Sequence, residues 1–278
     1  MSKIFETVSF HIVKPCNMKC KFCYATFDDM HGVKTMPLVE ACLIVNKLAE
    51  AGVKKITFAG GEPMLYKDLD AVIKYTKSLG LTTSIITNGS LLTTEWLKNM
   101  RPYLDWIGIS IDSTRFITNN SIGRVNNGFR NCTDITFYAE IIRKIRRNSY
   151  KLKINTVVNR YNEREYLRYF VEWSGATRWK VFDTLKVIGQ NDKQFDEIKS
   201  TDFKGFVERN KCDVMVVESN ELMIGGYLLV DPIGRLFEDT AGHHTYSDQL
   251  QFNTIEHCLS QINLKRDVFL NRGGIYEW

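Results

Sequence analysis

The sequence predicts an α/β fold, a partial barrel of six βα units with a C-terminal extension, and two observations carry that expectation. Strand-like and helix-like segments alternate through the first two thirds of the 278 residues, and after residue 185 the pattern changes to short strands separated by Gly and Asn turns. Only five prolines and no Ser/Gly-rich stretch offer a linker, so the expected organisation is a barrel over 1–185 and an elaboration over 186–278 that closes the site.

In chain order, 8–13 reads as a strand and 37–51 as a helix, with Leu38, Ala41, Val45, Leu48 and Ala49 on one face. Strand 55–59, helix 69–79, strand 81–87, helix 94–100 and strand 106–112 continue the alternation. A helix from about 133 to 147, strand 151–158, a helix from about 163 to 173 and strand 178–185 complete six units. Such a series implies a parallel sheet, which right-handed crossovers curl into a full or partial barrel. Residues 214–218, 227–231 and 234–237 read as strands of the extension. In this architecture the site lies at the C-terminal strand ends, so the residues just after each strand carry the functional information.

Composition narrows the class. With 44% hydrophobic and 25% charged residues the chain can bury a full core. No apolar run approaches the roughly 18 residues of a membrane span, and the N-terminus lacks the order of a signal peptide, so a soluble, cytoplasmic protein without a membrane partner is expected. The net charge of +5, from 37 basic and 32 acidic residues, suits an anionic ligand but is not the dense basic surface of a nucleic-acid binder. Seven cysteines make an odd count, which argues against a disulfide framework. Cys42, Cys132, Cys212 and Cys258 are scattered, whereas Cys16, Cys20 and Cys23 fall within eight residues directly after the first strand.

Three thiolates in one loop leave a metal position open. A structural zinc would close it with a fourth ligand, for which His11 and His31 are available. A cubane iron–sulfur cluster would instead leave one iron free for a small molecule to chelate, and unrelated cysteines are the third reading. One strand later stands Gly60-Gly61-Glu62-Pro63. Its glycines let backbone approach a ligand closely and Glu62 is an acceptor for an ammonium, although the tetrapeptide alone is a common turn.

Strand alternation gives an independent clue. Leu152 and Ile154 should pack on the outer helices, which turns Lys153 and Asn155 inward. Trp179 and Val181 share one face in the same way, leaving Arg178, Lys180 and Phe182 on the other. A cavity holding Lys153, Arg178 and Lys180 with few carboxylates is costly when empty, and a phosphate-bearing substrate would relieve that cost. The alternative is a pair of edge strands with a solvated basic face.

The Cys-x3-Cys-x2-Cys spacing with an aromatic before the third Cys, followed by Gly-Gly-Glu-Pro, resembles the radical S-adenosylmethionine (SAM) superfamily. The resemblance implies a [4Fe-4S] cluster on Cys16, Cys20 and Cys23, whose free iron binds the amino and carboxylate groups of SAM. It places Gly60, Gly61 and Glu62 at the methionine moiety, Phe22 at the adenine, and Ser110 and Arg124 at the ribose or carboxylate. Asn88, in Thr87-Asn88-Gly89-Ser90, is a further candidate of the SAM site.

A more specific resemblance covers most of the chain. Thr87-Asn88-Gly89-Ser90-Leu91, Ile122-Gly123-Arg124, Lys153-Ile154-Asn155, Val157-Val158-Asn159-Arg160, Arg178-Trp179-Lys180-Val181-Phe182, Glu218-Ser219-Asn220 and Arg272-Gly273-Gly274 are similar to segments of the viperin family. Members of that family make 3′-deoxy-3′,4′-didehydro nucleoside triphosphates. The resemblance implies a nucleoside triphosphate held by Lys153, Asn155, Arg178 and Lys180, with Ser9, His11, Lys34 and Arg272 completing the substrate set. In the implied reaction a 5′-deoxyadenosyl radical takes the ribose C4′ hydrogen, the 3′ hydroxyl leaves as water, and Tyr227 donates a hydrogen atom. An electron donor such as a flavodoxin or ferredoxin system is implied, together with a monomeric state and no nucleic-acid partner. The animal members carry an N-terminal amphipathic helix, whereas this chain begins almost at the first strand and resembles microbial, cytosolic members that act against phage. Ser9 stands where the animal form has Asn, Ile275 replaces a Lys, and Tyr24-Ala25 replaces Phe-His, which leaves CTP, UTP and GTP open. Among other classes, an RNA-modifying enzyme would need a basic stripe, a peptide-maturing or molybdopterin-type enzyme would need more cysteine clusters than Cys212 and Cys258 allow, and a non-enzymatic zinc module would carry no iron.

Overall fold

The structure is a computed structural model that describes residues 4–33, 35–125, 133–194 and 198–278. Its first half runs β1 (Thr7–Val13), α1 (Leu38–Glu50), β2 (Lys55–Gly60), α2 (Leu69–Ser78), β3 (Thr82–Thr87), α3 (Thr94–Met100), β4 (Trp106–Ser110) and α4 (Phe116–Ile122). The second half runs α5 (Ile135–Arg147), β5 (Lys151–Val157), α6 (Arg168–Ser174), β6 (Arg178–Phe182), α7 (Ser200–Asn210), β7 (Met215–Glu218) and α8 (Asn220–Met223), and closes with β8 (Leu228–Val230), β9 (Arg235–Glu238), β10 (Thr245–Gln249), α9 (Ile255–Ser260) and α10 (Arg266–Asn271).

Among the described residues all ten strands belong to one sheet, in the order β10-β9-β8-β1-β2-β3-β4-β5-β6-β7. From β1 to β7 each strand pairs in parallel with the next, as the βα alternation predicts. Residues beyond 185 add strands at both ends of that sheet. β7 extends it next to β6, while β8 joins β1 in parallel and β9 and β10 follow antiparallel. The sheet is open, with β7 and β10 as its free edges, yet it curls far enough that Glu218 at the end of β7 meets the hydroxyl of Tyr227 just before β8.

Local chemistry explains the elements that flank the site. α5 starts at Asp134, whose carboxylate accepts from the backbone N–H of Thr136 and Phe137, and ends on Lys144, Arg146 and Arg147, which complement the helix dipole. It buries Tyr138, Ala139, Ile141, Ile142 and Ile145 against the sheet. The helix expected from about 163 begins only at Arg168. Asn162 accepts from Asn159 N–H at 2.8 Å and donates to the Asp112 carbonyl at 2.8 Å, holding a turn that delays the helix. β2 is buried along nearly its whole length, the mark of a parallel strand covered on both faces.

Candidate active site

The loop after β1 carries the three cysteines and lies on two side-chain-free backbones. A Cβ at Gly61 would meet the carbonyls of Lys14 and Pro15, and one at Gly123 (φ +86°) would meet the carbonyl of Lys19. Lys19 N–H and Lys21 N–H donate to the carbonyls of Gly123 and Ile122 at 3.1 and 2.9 Å, tying the loop to the end of α4. Asn17 donates to the Ser90 hydroxyl at 2.8 Å and accepts from Asn88 at 2.8 Å, tying it also to the end of β3.

Cys16, Cys20 and Cys23 all line one pocket. Burial pushes the Cys16 thiol up to about 11 and Cys20 to about 12, so a metal that binds them must displace protons. Among the described residues no three His, Cys, Asp or Glu side chains converge on a single ion. Beside the thiols stands Glu62, buried, with its carboxylate accepting from Thr87 Oγ1 at 2.6 Å, Asn88 N–H at 2.8 Å and Met64 N–H at 3.2 Å. Gly60, Gly61, Ser110 and Phe22 line the same wall. Arg124 is buried there as well, its Nε bonded to Asp112 and its guanidinium 5.8 Å from the Phe22 ring.

Another part of the pocket wall is cationic. Lys55, Lys153, Lys180 and Arg272 line it, each at most 5% exposed. Burial and the neighbouring cations Lys153, Lys180 and Arg178 hold Lys55 down at about 6, and burial with Arg178 holds Lys153 at about 8, against an ordinary 10.5. Glu218 is fully buried behind this wall, pairs with Lys180 and lies 3.9 Å from Arg272. Burial opposes its ionisation, but Lys180 and Arg272 prevail and keep the carboxyl below its usual range. Among the described residues neither Lys55 nor Lys153 forms an ion pair with a carboxylate. The buried Oδ1 of Asn155, also in the pocket wall, has no hydrogen-bond partner among the described residues.

The strand-face reading therefore holds for Lys153, Asn155, Lys180 and Phe182, which all line the cavity. Ser9, His11, Asn88, Tyr227 and Arg272 join them. Arg178 does not line the pocket: its guanidinium donates to the Gly273 carbonyl at 2.9 Å and lies 4.0 Å from the Tyr276 ring, so the C-terminal tail covers it. Lys34 falls outside the described residues. His11 is packed edge-on against Phe27, Phe237 and Tyr24, and burial with nearby His244 lowers it to about 3, which leaves the imidazole neutral. Lys55 and Glu218 escaped sequence reasoning as individual residues. The alternation used on β5 and β6 finds Lys55 when applied to Lys55, Thr57 and Ala59 of β2, which share the inner face.

Comparison with known proteins agrees with this geometry. The radical SAM superfamily model matches residues 12–174. An S-adenosylmethionine-dependent nucleotide dehydratase of Lacinutrix mariniflava is 45% identical over the whole of this chain, which spans 60% of that protein's length. One from Flammeovirga pacifica is 41% identical over the whole chain and 97% of its own length. The Danio rerio protein named S-adenosylmethionine-dependent nucleotide dehydratase RSAD2 is 32% identical over 98% of this chain and 78% of its own. Among solved structures, Streptococcus suis SuiB bound to its precursor peptide superposes with a TM-score of 0.73 at 15% identity over 96% of this chain and 66% of SuiB, a likeness of fold. By its sequence, its barrel and its cysteine loop, the chain belongs to the radical SAM superfamily and within it to the viperin-like S-adenosylmethionine-dependent nucleotide dehydratases.

Proposed function

We propose that this protein converts a nucleoside triphosphate, one of CTP, UTP or GTP, to its 3′-deoxy-3′,4′-didehydro analogue, an antiviral chain terminator. The observation that carries the reading is one pocket lined both by three cysteines and by Lys55, Lys153, Lys180 and Arg272. Two of these cations have no carboxylate partner among the described residues, so a polyanion would relieve their desolvation and mutual repulsion. The relatives' names point the same way.

Cys16, Cys20 and Cys23 would hold a [4Fe-4S] cluster, and the fit is supported by three free thiols sharing a pocket with the backbone of Gly60 and Gly61. With SAM bound, such a cluster would supply the one-electron reduction that yields a 5′-deoxyadenosyl radical for abstraction of the ribose C4′ hydrogen. The chain's own residues do the rest. Glu62 accepts from the SAM ammonium, Phe22 packs on its adenine, and Ser110 with Arg124 holds its polar groups, while Asn88 fixes the cysteine loop beside them. Lys153, Lys180, Lys55 and Arg272 bind the triphosphate with charge-assisted bonds of roughly 1.5 to 3 kcal/mol each. Arg178 acts with them from beneath the tail. Asn155 offers its free oxygen to a ribose hydroxyl, and Ser9 and His11 face the base end. Tyr227 restores the electron that the nucleotide lacks, and residues 186–278 close the pocket. The free thiols of all six described cysteines suit a reducing, cytoplasmic setting, where a flavodoxin or ferredoxin system would reduce a monomeric enzyme.

Reconstituted enzyme should form 5′-deoxyadenosine and didehydronucleotide in equal amounts with SAM, reductant and the preferred triphosphate, and very little of either with the corresponding nucleoside. Equal turnover of nucleoside and triphosphate would overturn the assignment of the basic wall.

A further inference from the structure

The contacts of Tyr227 say how it would do its work, taking as given the proposed role as donor to the nucleotide. Its hydroxyl donates to Glu218 Oε2 and accepts from Lys180 Nζ at 3.0 Å, so its one proton is committed to the protein. The Arg272 guanidinium lies 3.6 Å from the centre of the tyrosine ring. We propose that Glu218 is the proton acceptor of Tyr227, so that Tyr227 passes an electron alone to the nucleotide while its proton moves to the Glu218 carboxylate.

The balance of the reaction fits a donor of this kind. After the C4′ hydrogen is gone, the 3′ hydroxyl leaves as water with one proton taken from solvent. The C3′–C4′ unit is then a radical cation, and one electron closes the double bond with no further proton. Tyr227 loses that electron and Glu218 gains the phenolic proton, giving a neutral tyrosyl radical and a neutral carboxylic acid. An external one-electron donor protein then reduces the radical, and the proton returns from Glu218 to the phenolate oxygen. Without the acceptor, oxidation would leave a cationic phenol between Lys180 and Arg272, where like charges in a buried setting repel strongly. Glu218 is suited to the part because it is fully buried and stays ionised through its pairing with Lys180 and Arg272.

The test compares Glu218→Gln with Tyr227→Phe and Glu218→Asp in the reconstituted enzyme. Glu218→Gln should still cleave SAM when nucleotide is present, with a KM for nucleotide within threefold of wild type, but its didehydro product should fall at least tenfold below the 5′-deoxyadenosine formed. Glu218→Asp, which keeps a proton acceptor, should restore a measurable part of the product ratio. In protein without cofactors, one-electron photo-oxidation should give a tyrosyl EPR signal whose Tyr227→Phe-sensitive part drops at least threefold in Glu218→Gln. Parity of the two products in Tyr227→Phe would remove the donor role itself. Uncoupling in Tyr227→Phe with parity in Glu218→Gln would leave the donor and overturn the acceptor. Should Glu218→Gln fail to fold with Lys180 unpaired, the double variant Glu218→Gln/Lys180→Met removes both buried charges and carries the product-ratio and EPR measurements at saturating nucleotide, read against Lys180→Met alone because Lys180 also binds the triphosphate.

Discussion

A single lysine shows how the pocket is electrostatically poised. Lys55 is 2% exposed, donates to the Tyr276 hydroxyl at 2.6 Å and sits 4.8 Å from the centre of the Trp106 ring. With Lys55 held at about 6 and Lys153 at about 8, the folded chain carries fewer protons than the unfolded one from there up to pH 10.5, so stability rises with pH across that window. A bound polyanion restores the charged forms. Nucleotide binding near pH 8 should therefore take up protons, and affinity should strengthen as pH falls toward 6, by up to about tenfold per pH unit for each proton linked. Calorimetry in two buffers of different ionisation enthalpy reads this directly, and equal heats in both would overturn the picture. Period-two alternation made Lys153 and Lys180 legible in the sequence because β5 and β6 have their apolar residues on one face. It also turned Arg178 inward, but Gly273 and Tyr276, some 95 residues away in the chain, cover that side chain, and no local pattern reveals a contact so distant.

Among the elements, the helices that back the sheet contribute stability without touching chemistry, and α5 allows the distinction to be measured. Asp134→Ala removes the acceptor for the N–H groups of Thr136 and Phe137 and should cost about 1 kcal/mol, lowering Tm by roughly 2 to 4 °C. Nucleotide-dependent SAM cleavage at 25 °C should stay within twofold of wild type. A collapse of turnover without loss of Tm would place this helix in the active machinery. The strands and helices of the first six units were readable because hydrophobic period and turn residues agree along them. α4 was not, since Phe116–Ile122 has Phe116 and Ile117 exposed and Asn119 buried, the reverse of an amphipathic stripe. Asn119 is held inside by the carbonyls of Ser113 and Thr133, at 2.8 and 2.6 Å, an arrangement that its sequence neighbours do not announce.

Over the whole molecule, a curled but open sheet concentrates positive charge in its inner lining and lets Lys180, Glu218, Tyr227 and Arg272 meet between the end of β7 and the residue before β8. Tripolyphosphate alone, without SAM, should stabilise such a protein. At a hundredfold excess over its Kd the gain is about 2.7 kcal/mol, or roughly 5 to 10 °C in Tm. Sulfate at equal ionic strength should do far less, and equal shifts from both anions would reduce the basic wall to a general charge effect. The parallel order of β1 to β6 follows from the βα alternation, whereas the split of the later strands between two opposite edges was not legible. Short strands such as Leu228–Val230 carry no signal of their partner, and β8 finds its place only through apolar residues that complete the cover of β1. That pairing joins Val8 to Leu228, about 220 residues later. On a ribosome adding ~5 to 20 residues per second, β1 therefore waits roughly 10 to 45 s with one edge uncovered. During that interval Val8, Phe10 and Ile12 offer a ready template to any other nascent chain. Synthesis of this enzyme is thus most vulnerable to aggregation at its first strand, until its last third emerges.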